Sequence, residues 1–504
     1  MKRKFLIILG VGLVSLWIYL FATSFNKEIF KLSDYEKIVQ QQRRVYFGQE
    51  LGRIYGNRIG VFYFDNVLPA TTKISISFIS NLSWLPLAAL GLLLLITLNQ
   101  KIQPIEKITK RHLGILILVF FVAGFLRLYN LDNIPAGLHG DAASQGYNAF
   151  SLLQTGKDRY GEPFPILFRS LGSYQPPVYT YLTTVPVTLF GNTAFSARFI
   201  SAISGILLGL ITFLFLRAMF PAKFGLALLG AGVIAIAPWS VFFSRLAVEA
   251  NLALLIFASS IFLFWNSLKK PQLFISAAFL LGVSTHAYYS ERLTAVIFLP
   301  IFLLLFKKVW LNQKRWVILG LIAFLLTQIP HFSMISTGAY IRRFDQVSNT
   351  ENYSLLKTFF DNYLVYYSPA NLFFDSDSNL GRTMPGLSVF YTWMILPFIL
   401  GLRELFTSRV GGEVKKLLLL LLILTPVSAG LTGDLFYPLR TLDFLWILTL
   451  IISIGIYNFF TFLRSNFIRA GLAAVLISYS LFPFTSPILF FLNMKRRKIT
   501  VMPM

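Results

Sequence analysis

Asp141 is the residue whose type and setting best suit acid–base chemistry. It follows Gly140 at the start of a predicted helix, in a polar segment between long apolar runs. A carboxylate placed there can take a proton from a hydroxyl group. Asp is also a favoured N-cap, and position alone favours that structural role, with Asp141 capping a helix that begins at Ala142. One carboxylate could serve both purposes.

Arginines recur at other predicted helix ends. Arg245 and Glu249 lie four residues apart, which predicts a shared helix face and allows either an ion pair or a site role. The planar guanidinium of Arg can donate two hydrogen bonds to a phosphate. Further candidates of this type are Arg292, Arg342 and Arg440.

Metal ligands are sparse in this sequence. With four His and no Cys, a zinc site at His139 or His286 is a weak hypothesis, and a hydrogen-bonded histidine is the favoured interpretation. Asp375 and Asp377 could hold a divalent cation through oxygen, although an ordinary Asx-turn is favoured. The sequence therefore predicts no definite cofactor and leaves a divalent cation open.

Membrane-spanning helices must position these residues. Of 504 residues 56% are hydrophobic and 13% charged, and the mean hydropathy is +0.67, which is typical of a chain solvated largely by lipid. A span needs roughly 20 apolar residues. We predict an all-α polytopic membrane protein with about thirteen transmembrane helices: 5–23, 82–98, 112–127, 195–217, 224–243, 250–268, 272–289, 293–310, 316–335, 387–404, 415–432, 443–462 and 470–492.

Charge orients this bundle. The net charge of +24 fits basic residues that flank membrane spans and face lipid headgroups, and no nucleic-acid module accompanies it. With a cytoplasmic N-terminus, the inner segments hold 21 of 45 Lys and Arg but only three of 21 acidic residues. The long segments 24–81, 128–194 and 336–386 then face outward. We expect a multi-pass plasma (inner) membrane protein with an extracytoplasmic site.

The pattern divides the chain into three parts. Residues 1–111 form an N-terminal extension with two spans and an outer loop, and residues 112–492 form the main transmembrane module. Residues 493–504 are a short basic tail. An odd number of spans places this tail outside, whereas basic segments are expected inside. Either a span is miscounted or the natural chain continues. In 128–194 we predict two interfacial helices, one after Gly140 and one after Pro176-Pro177 that ends near Phe190.

Several short motifs occur in a fixed order along residues 112–460. They are Arg127-Leu128-Tyr129, Asp141, Gly146-Tyr147-Asn148-Ala149, Thr155-Gly156-x-Asp158, Pro176-Pro177-x-Tyr179, Ala197-Arg198, Ala237-Pro238-Trp239-Ser240, Arg245…Glu249 and Arg440. The order resembles membrane glycosyltransferases of the GT-C fold, in particular the dolichyl-phosphate-mannose–protein mannosyltransferase family (glycosyltransferase family 39), which includes bacterial aminoarabinose transferases.

The resemblance implies a GT-C-type bundle and a polyprenyl-phosphate-linked sugar as donor. Asp141 would be the catalytic base of an inverting transfer to a protein, lipid or glycan acceptor, and arginines would stabilise the leaving phosphate. Residues implied at the donor or substrate site are Arg245, Glu249, Arg292, Arg342, Arg440, Tyr174, Gln175, Tyr288 and His286. Relatives usually show Asp-Glu where this chain has Asp141-Ala142, and often a basic residue where it has Gln175.

Two other functions remain open on the sequence. Ala142 and Gln175 keep open a non-catalytic relative that only binds a sugar lipid. A lipid or solute transporter would show ionisable residues at mid-membrane and paired broken helices. The predicted spans are almost free of charge at their centres, which favours the transferase.

Overall fold

The computed structural model describes residues 109–135, 137–170, 173–335, 355–375, 387–407, 410–433, 435–463 and 476. Several predictions fall outside these residues: the spans 5–23 and 82–98, all but one residue of 470–492, the segment 24–81, the tail 493–504, and the candidates Arg342 and Asp377. The predicted helical membrane fold is confirmed for the described part, whereas the number thirteen stays a prediction.

Helices dominate the described residues, and one small hairpin accompanies them. The helices are α1 (Lys110–Leu128), α2 (Gly140–Thr155), α3 (Pro177–Phe190), α4 (Ala194–Met219), α5 (Phe224–Ile236), α6 (Pro238–Ser244), α7 (Glu249–Ser267), α8 (Leu273–Ser284), α9 (Tyr289–Leu305), α10 (Lys307–Trp310), α11 (Lys314–Thr327), α12 (Ile329–Ile335), α13 (Leu355–Val365), α14 (Ile395–Phe406), α15 (Gly412–Leu424), α16 (Val427–Gly430) and α17 (Leu442–Phe462). The strands are β1 (Phe168–Ser170) and β2 (Ser173–Gln175).

Within the described ranges, three helical segments are long and apolar enough to cross a membrane. They are α4, α7 and Pro438–Phe462, and the pair α5–α6, bent by 56°, makes a fourth if it is one span. The pair covers the span predicted over 224–243, and the bend within it is a feature that the sequence-based prediction did not include. The span predicted over 387–404 also differs, because its helix begins only at Ile395, after a 3-10 turn over Thr392–Met394.

The helix α17 lies at the centre of the bundle. Every residue from Leu442 to Ile456 is buried. The indole of Trp446 stacks on Phe215 of α4, with ring centroids 5.6 Å apart, and donates to the Thr212 hydroxyl at 3.0 Å. A buried indole needs such an acceptor, so this contact fixes α17 against α4.

Pro238 causes the bend between α5 and α6. Proline has no N–H, so the carbonyl of Ile234 loses its helical partner. Arg127 of α1 donates to the carbonyls of Ile234 at 2.7 Å and Ala235 at 3.0 Å, and the Tyr391 hydroxyl donates to that of Ile236 at 3.1 Å. Protein groups therefore satisfy the three carbonyls that the break frees.

The segment between α1 and α4 contains the two predicted helices and a hairpin that the sequence did not predict. Helix α2 begins at Gly140 and α3 ends at Phe190, as the sequence indicates. Residues Ser173–Gln175 form β2, which pairs antiparallel with β1 so that Gln175 faces Phe168. Helix α3 begins at Pro177, whose fixed φ suits the first helical position.

Two glycines let α14 and α17 approach each other closely. A Cβ atom on Gly455 would lie 1.8 Å from the carbonyl oxygen of Pro397, and one on Gly401 would lie 2.0 Å from that of Ile451. Both obstacles are backbone atoms, which cannot move aside as a side chain can. Small residues at such a crossing are typical of helices packed in a membrane.

We expect Gly455→Ala to lower the melting temperature in detergent, because α14 and α17 must separate at a cost of about 1–3 kcal/mol. The matched control is Gly124→Ala on α1, where an added methyl group meets nothing within 4 Å. There the better helix propensity of Ala should be neutral or stabilising. Equal melting temperatures for the two variants would contradict the close approach.

Candidate active site

The loop between α1 and α2 is held by a buried arginine. Arg198 of α4 is 2% exposed, and its guanidinium donates to the backbone carbonyls of Leu131, Asp132, Pro135 and Gly137. Irregular backbone at this depth needs internal partners for its polar groups. Arg198 therefore fixes the path of the chain into α2, and with it the position of Asp141.

Arg245 has a similar structural environment. Its guanidinium donates to the carbonyls of Leu126 at 2.8 Å, Tyr129 at 2.9 Å and Ile134 at 3.0 Å. The prediction that Arg245 and Glu249 share one helix face is wrong, because α6 ends at Ser244, with Arg245 as its C-cap, and Glu249 begins a separate helix, α7. The contacts of Arg245 with backbone carbonyls favour a structural role over donor binding.

Asp141 lies in the first turn of α2. The N-cap is His139, whose Nδ1 accepts from the backbone N–H of Asp141 at 3.4 Å, so the interpretation of Asp141 as N-cap is wrong. An acidic residue in a first turn is favoured by the helix dipole. The side chain of Asp141 is 44% exposed, which leaves its carboxylate accessible to a substrate.

Gln175 of β2 contacts this carboxylate on its buried side. Its Nε2 donates to Asp141 Oδ1 at 3.0 Å, and its Oε1 accepts from the Ser144 hydroxyl at 3.1 Å. Gln175 itself is only 4% exposed. The sequence-based prediction placed Gln175 at the substrate site, and the structure brings it into direct contact with Asp141.

A second carboxylate is bound one helical turn further along α2. Gln145 is fully buried, and its Nε2 donates to Glu249 Oε2 at 2.5 Å. Residues 141 and 145 are four apart, so they lie on the same face of α2. Helix α2 thus links Asp141 and Glu249, two residues that the sequence separates by more than 100 positions.

The junction of α8 and α9 carries another group of predicted site residues. The Tyr289 hydroxyl donates to the backbone carbonyl of Tyr174, the residue before Gln175, so β2 contacts both α2 and α9. Arg292 donates to the carbonyl of Thr285 at 3.3 Å, and its guanidinium lies over the Tyr289 ring at 4.3 Å. Tyr288 is half-buried beside them.

His286 points into the bundle at this junction. It is 1% exposed, its Nε2 lies 2.6 Å from the carbonyl oxygen of Thr327, and its ring stacks on His331 with centroids 3.8 Å apart. These contacts agree with the interpretation of His286 as a hydrogen-bonded histidine. They provide no direct route from its imidazole to a substrate at Asp141.

Two buried carboxyl groups join the start of α9 to the start of α17. Glu291 and Asp443, 1% and 4% exposed, share a side-chain hydrogen bond. Such a bond requires a proton on one of the two groups. The pair brings together two helix ends that carry predicted phosphate ligands, since Arg292 follows Glu291 and Arg440 lies one turn before Asp443.

The loop after α2 is a compact polar turn. Asp158 Oδ1 accepts from the backbone N–H groups of Tyr160 at 2.9 Å and Glu162 at 2.8 Å. Burial raises the pKa of the Asp158 carboxyl, and burial together with the charge of Asp158 raises the pKa of Glu162. The backbone N–H groups and the charge of Arg159 partly offset the rise in the pKa of Asp158. The backbone N–H of Arg159 also donates to the side-chain oxygen of Asn148 in α2 at 3.1 Å.

Of the two weak metal candidates, only Asp375 lies within the described residues. Asp375 is an exposed residue at the end of a π-helical turn over Ala370–Phe374. In the part of the chain that the structure describes, no three His, Asp or Glu residues are arranged to hold a metal ion.

Sequence reasoning missed several residues that shape the site. They are Ser144, Gln145, Arg198, Glu291 and Asp443. For Arg198 and Asp443 the available signal was a charged residue in an otherwise apolar helix, whereas Ser144 and Gln145 lie in a polar helix and carried no such signal.

With this geometry in place, residues 174–333 match the family model described as dolichyl-phosphate-mannose-protein mannosyltransferase. The match confirms the resemblance predicted from the sequence over β2 and α3 to α12. Asp141 and Arg440 lie outside the matched residues. No curated protein sequence matches the chain.

Among solved structures, ArnT from Cupriavidus metallidurans bound to undecaprenyl phosphate is similar at 15% identity and a TM-score of 0.49, covering 75% of this chain and 64% of that one. The archaeal oligosaccharyltransferase AglB from Archaeoglobus fulgidus, in complex with an inhibitory peptide and a dolichol-phosphate, is similar at 12% identity and a TM-score of 0.48, covering 77% and 56%. This chain thus aligns with less than two thirds of either protein.

We expect Arg245→Met to lower the stability of the folded protein on the order of 3 kcal/mol, because buried carbonyls lose their donor. The melting temperature in detergent measures this effect, and Arg403→Met, an exposed arginine, is the control. If the variant melted at the wild-type temperature but had a much higher KM for a polyprenyl-phosphate sugar, Arg245 would instead be assigned to phosphate binding.

We expect the thermal stability of the wild type to fall as the pH rises above the ordinary range of a glutamate carboxyl. The folded chain keeps a proton on Glu162 that the unfolded chain has already lost, so ionisation favours unfolding. Glu162→Gln should flatten the decline in melting temperature between pH 5 and pH 9. The exposed Glu413→Gln is the control, and parallel curves for wild type and Glu162→Gln would refute the assignment.

Proposed function

We propose that this chain is a membrane glycosyltransferase that transfers a sugar from a polyprenyl-phosphate donor to an acceptor on the extracytoplasmic face. The observation that carries the proposal is the accessible Asp141 carboxylate, held by Gln175 at the start of α2. The family match over residues 174–333 supports the class of reaction, because that family is described by a lipid-phosphate sugar donor. The acceptor is a protein, lipid or glycan.

In this mechanism Asp141 removes the proton from the acceptor hydroxyl while that oxygen attacks the anomeric carbon. The bond from this carbon to the phosphate oxygen breaks, and the polyprenyl phosphate departs with its electron pair. One base and one displacement suffice, and a single displacement inverts the anomeric carbon. Charge grows on the departing phosphate, so cations close to it lower the barrier.

Arg292 and Arg440 are the proposed cations for this phosphate. The Glu291–Asp443 contact brings together the two helix ends that carry them, and the Tyr289–Tyr174 contact connects the start of α9 to the strand that holds Asp141. Glu249 is proposed to bind sugar or acceptor hydroxyl groups, because Gln145 holds it on the Asp141 face of α2. Arg245 is a less favoured phosphate ligand, since it is buried and donates to three backbone carbonyls, whereas Arg292 is half-buried and donates to that of Thr285.

A transporter is the less favoured function. Transporters use carbonyls that a broken helix frees to coordinate ions. At the break between α5 and α6 those carbonyls already accept hydrogen bonds from Arg127 and Tyr391. The break therefore offers no ready ion site through these groups.

We expect Asp141→Asn to lower transfer by about 10²–10⁴-fold, because the amide cannot accept the acceptor's proton. Purified full-length protein would be incubated with a panel of polyprenyl-phosphate sugars, and release of the free lipid phosphate would be measured with and without acceptor.

The matched control is Asp361→Asn, an exposed aspartate on α13. It should keep wild-type activity. Full activity of Asp141→Asn would remove Asp141 from the mechanism, and donor binding without release of lipid phosphate by wild type would favour a non-catalytic sugar-lipid-binding protein.

A further inference from the structure

Gln175 is placed to control one oxygen of the Asp141 carboxylate. Its Nε2 lies 3.0 Å from Asp141 Oδ1 and 3.4 Å from the backbone carbonyl oxygen of the same residue. An ionised carboxylate can only accept hydrogen bonds, so the amide must turn its N–H₂ toward Asp141. The other carboxylate oxygen, Oδ2, lies 3.7 Å from His139 Nδ1, which accepts from the backbone N–H of Asp141, so Oδ2 is the oxygen left for a substrate proton.

The amide of Gln175 is itself held on its other side. The Ser144 hydroxyl, one turn into α2, donates to Gln175 Oε1 at 3.1 Å. Ser144 and Gln175 are 2% and 4% exposed, so water does not compete for the hydrogen bond between them. The Ser144 hydroxyl therefore donates to the Gln175 carbonyl oxygen, and the Gln175 amide donates to the accessible Asp141 carboxylate. Neither hydrogen bond can form with donor and acceptor exchanged while Asp141 is ionised.

The backbone beneath Gln175 is also fixed. Gln175 pairs with Phe168 in the hairpin, and the preceding carbonyl, that of Tyr174, accepts from the Tyr289 hydroxyl. Pro176 and Pro177 follow directly and restrict the chain further. A side chain on such a support can hold a partner group to a fraction of an ångström, as catalytic orientation requires.

We propose that Gln175 is a positioning residue that acts through Asp141 and does not bind the donor phosphate. The inference rests on the proposed function and deepens it. Gln175, oriented by Ser144, fixes Asp141 so that Oδ2 faces the hydroxyl group of the acceptor. Because the amide is neutral, it orients the carboxylate without adding a positive charge beside it.

The first test separates positioning from donor binding. We expect Gln175→Ala to lower kcat about 10–100-fold, since a displaced base loses its alignment, while the KM for a polyprenyl-phosphate sugar stays within about twofold of wild type. Ser144→Ala should lower kcat less, and Gln313→Ala, a glutamine before α11, should change neither constant. A raised donor KM with unchanged kcat, or no change in either, would overturn the proposal.

The second test asks whether Gln175 acts through Asp141. In an Asp141→Asn background, Gln175→Ala should have no further effect on the residual rate, because the group that it positions is no longer a base. A further tenfold loss there would show that Gln175 acts elsewhere. Gln175→Lys places a cation beside the carboxylate, so the acidic limb of the pH–rate profile should move to lower pH.

The third test does not depend on turnover and so separates failure of this inference from failure of the proposed function. Carbodiimide modification of Asp141, followed by mass spectrometry of its peptide, reports how freely the carboxylate reacts. We expect at least a threefold faster modification in Gln175→Ala than in wild type, with Asp361 as the internal reference. Equal rates would overturn the contact, whereas faster modification in a protein without transferase activity would overturn only the proposed reaction.

Discussion

The structure depends on hydrogen-bond donors for backbone carbonyls that no helix satisfies. Within an apolar bundle an unsatisfied carbonyl costs on the order of 1–3 kcal/mol, so a broken helix or an irregular loop needs donors from elsewhere in the chain. Arg127 supplies them at the α5–α6 break, and Arg198 and Arg245 supply them along the α1–α2 loop. A guanidinium suits this task because it offers five N–H donors in a fixed plane.

This constraint has a direct consequence for the chemistry. These three guanidinium groups are buried and each donates to two or more carbonyls. Arg292 and Arg440, in contrast, are half-buried, and Arg292 donates to the carbonyl of Thr285 through Nε, so these two arginines are better candidates for a donor phosphate. Arg292 and Arg440 lie at the helix ends that the Glu291–Asp443 pair brings together. Arginines that build the loop and arginines that meet the substrate would thus be different residues, although their sequence contexts look alike.

Neutral amides tie the two carboxylates of the candidate site to the scaffold. Gln175 contacts Asp141, and Gln145 contacts Glu249. An amide can hold a carboxylate in place at a smaller electrostatic cost to its basicity than a neighbouring cation would impose. This arrangement also gives the departure at Gln175 a physical meaning, because Gln175, which stands where relatives often have a basic residue, contacts the proposed catalytic base Asp141 directly.

The sequence by itself predicted the apolar helical class, the helices α2 and α3 and the polar segment around Asp141, because apolar runs, prolines and glycines act locally. It could also suggest a resemblance to a family, and a model of that family matches residues 174–333. Only the tertiary structure decided which partner each polar side chain has. Spacing suggested a shared helix face for Arg245 and Glu249, yet Arg245 contacts the α1–α2 loop and Glu249 contacts α2. Such pairings join residues far apart in the chain, and local pattern carries no information about them.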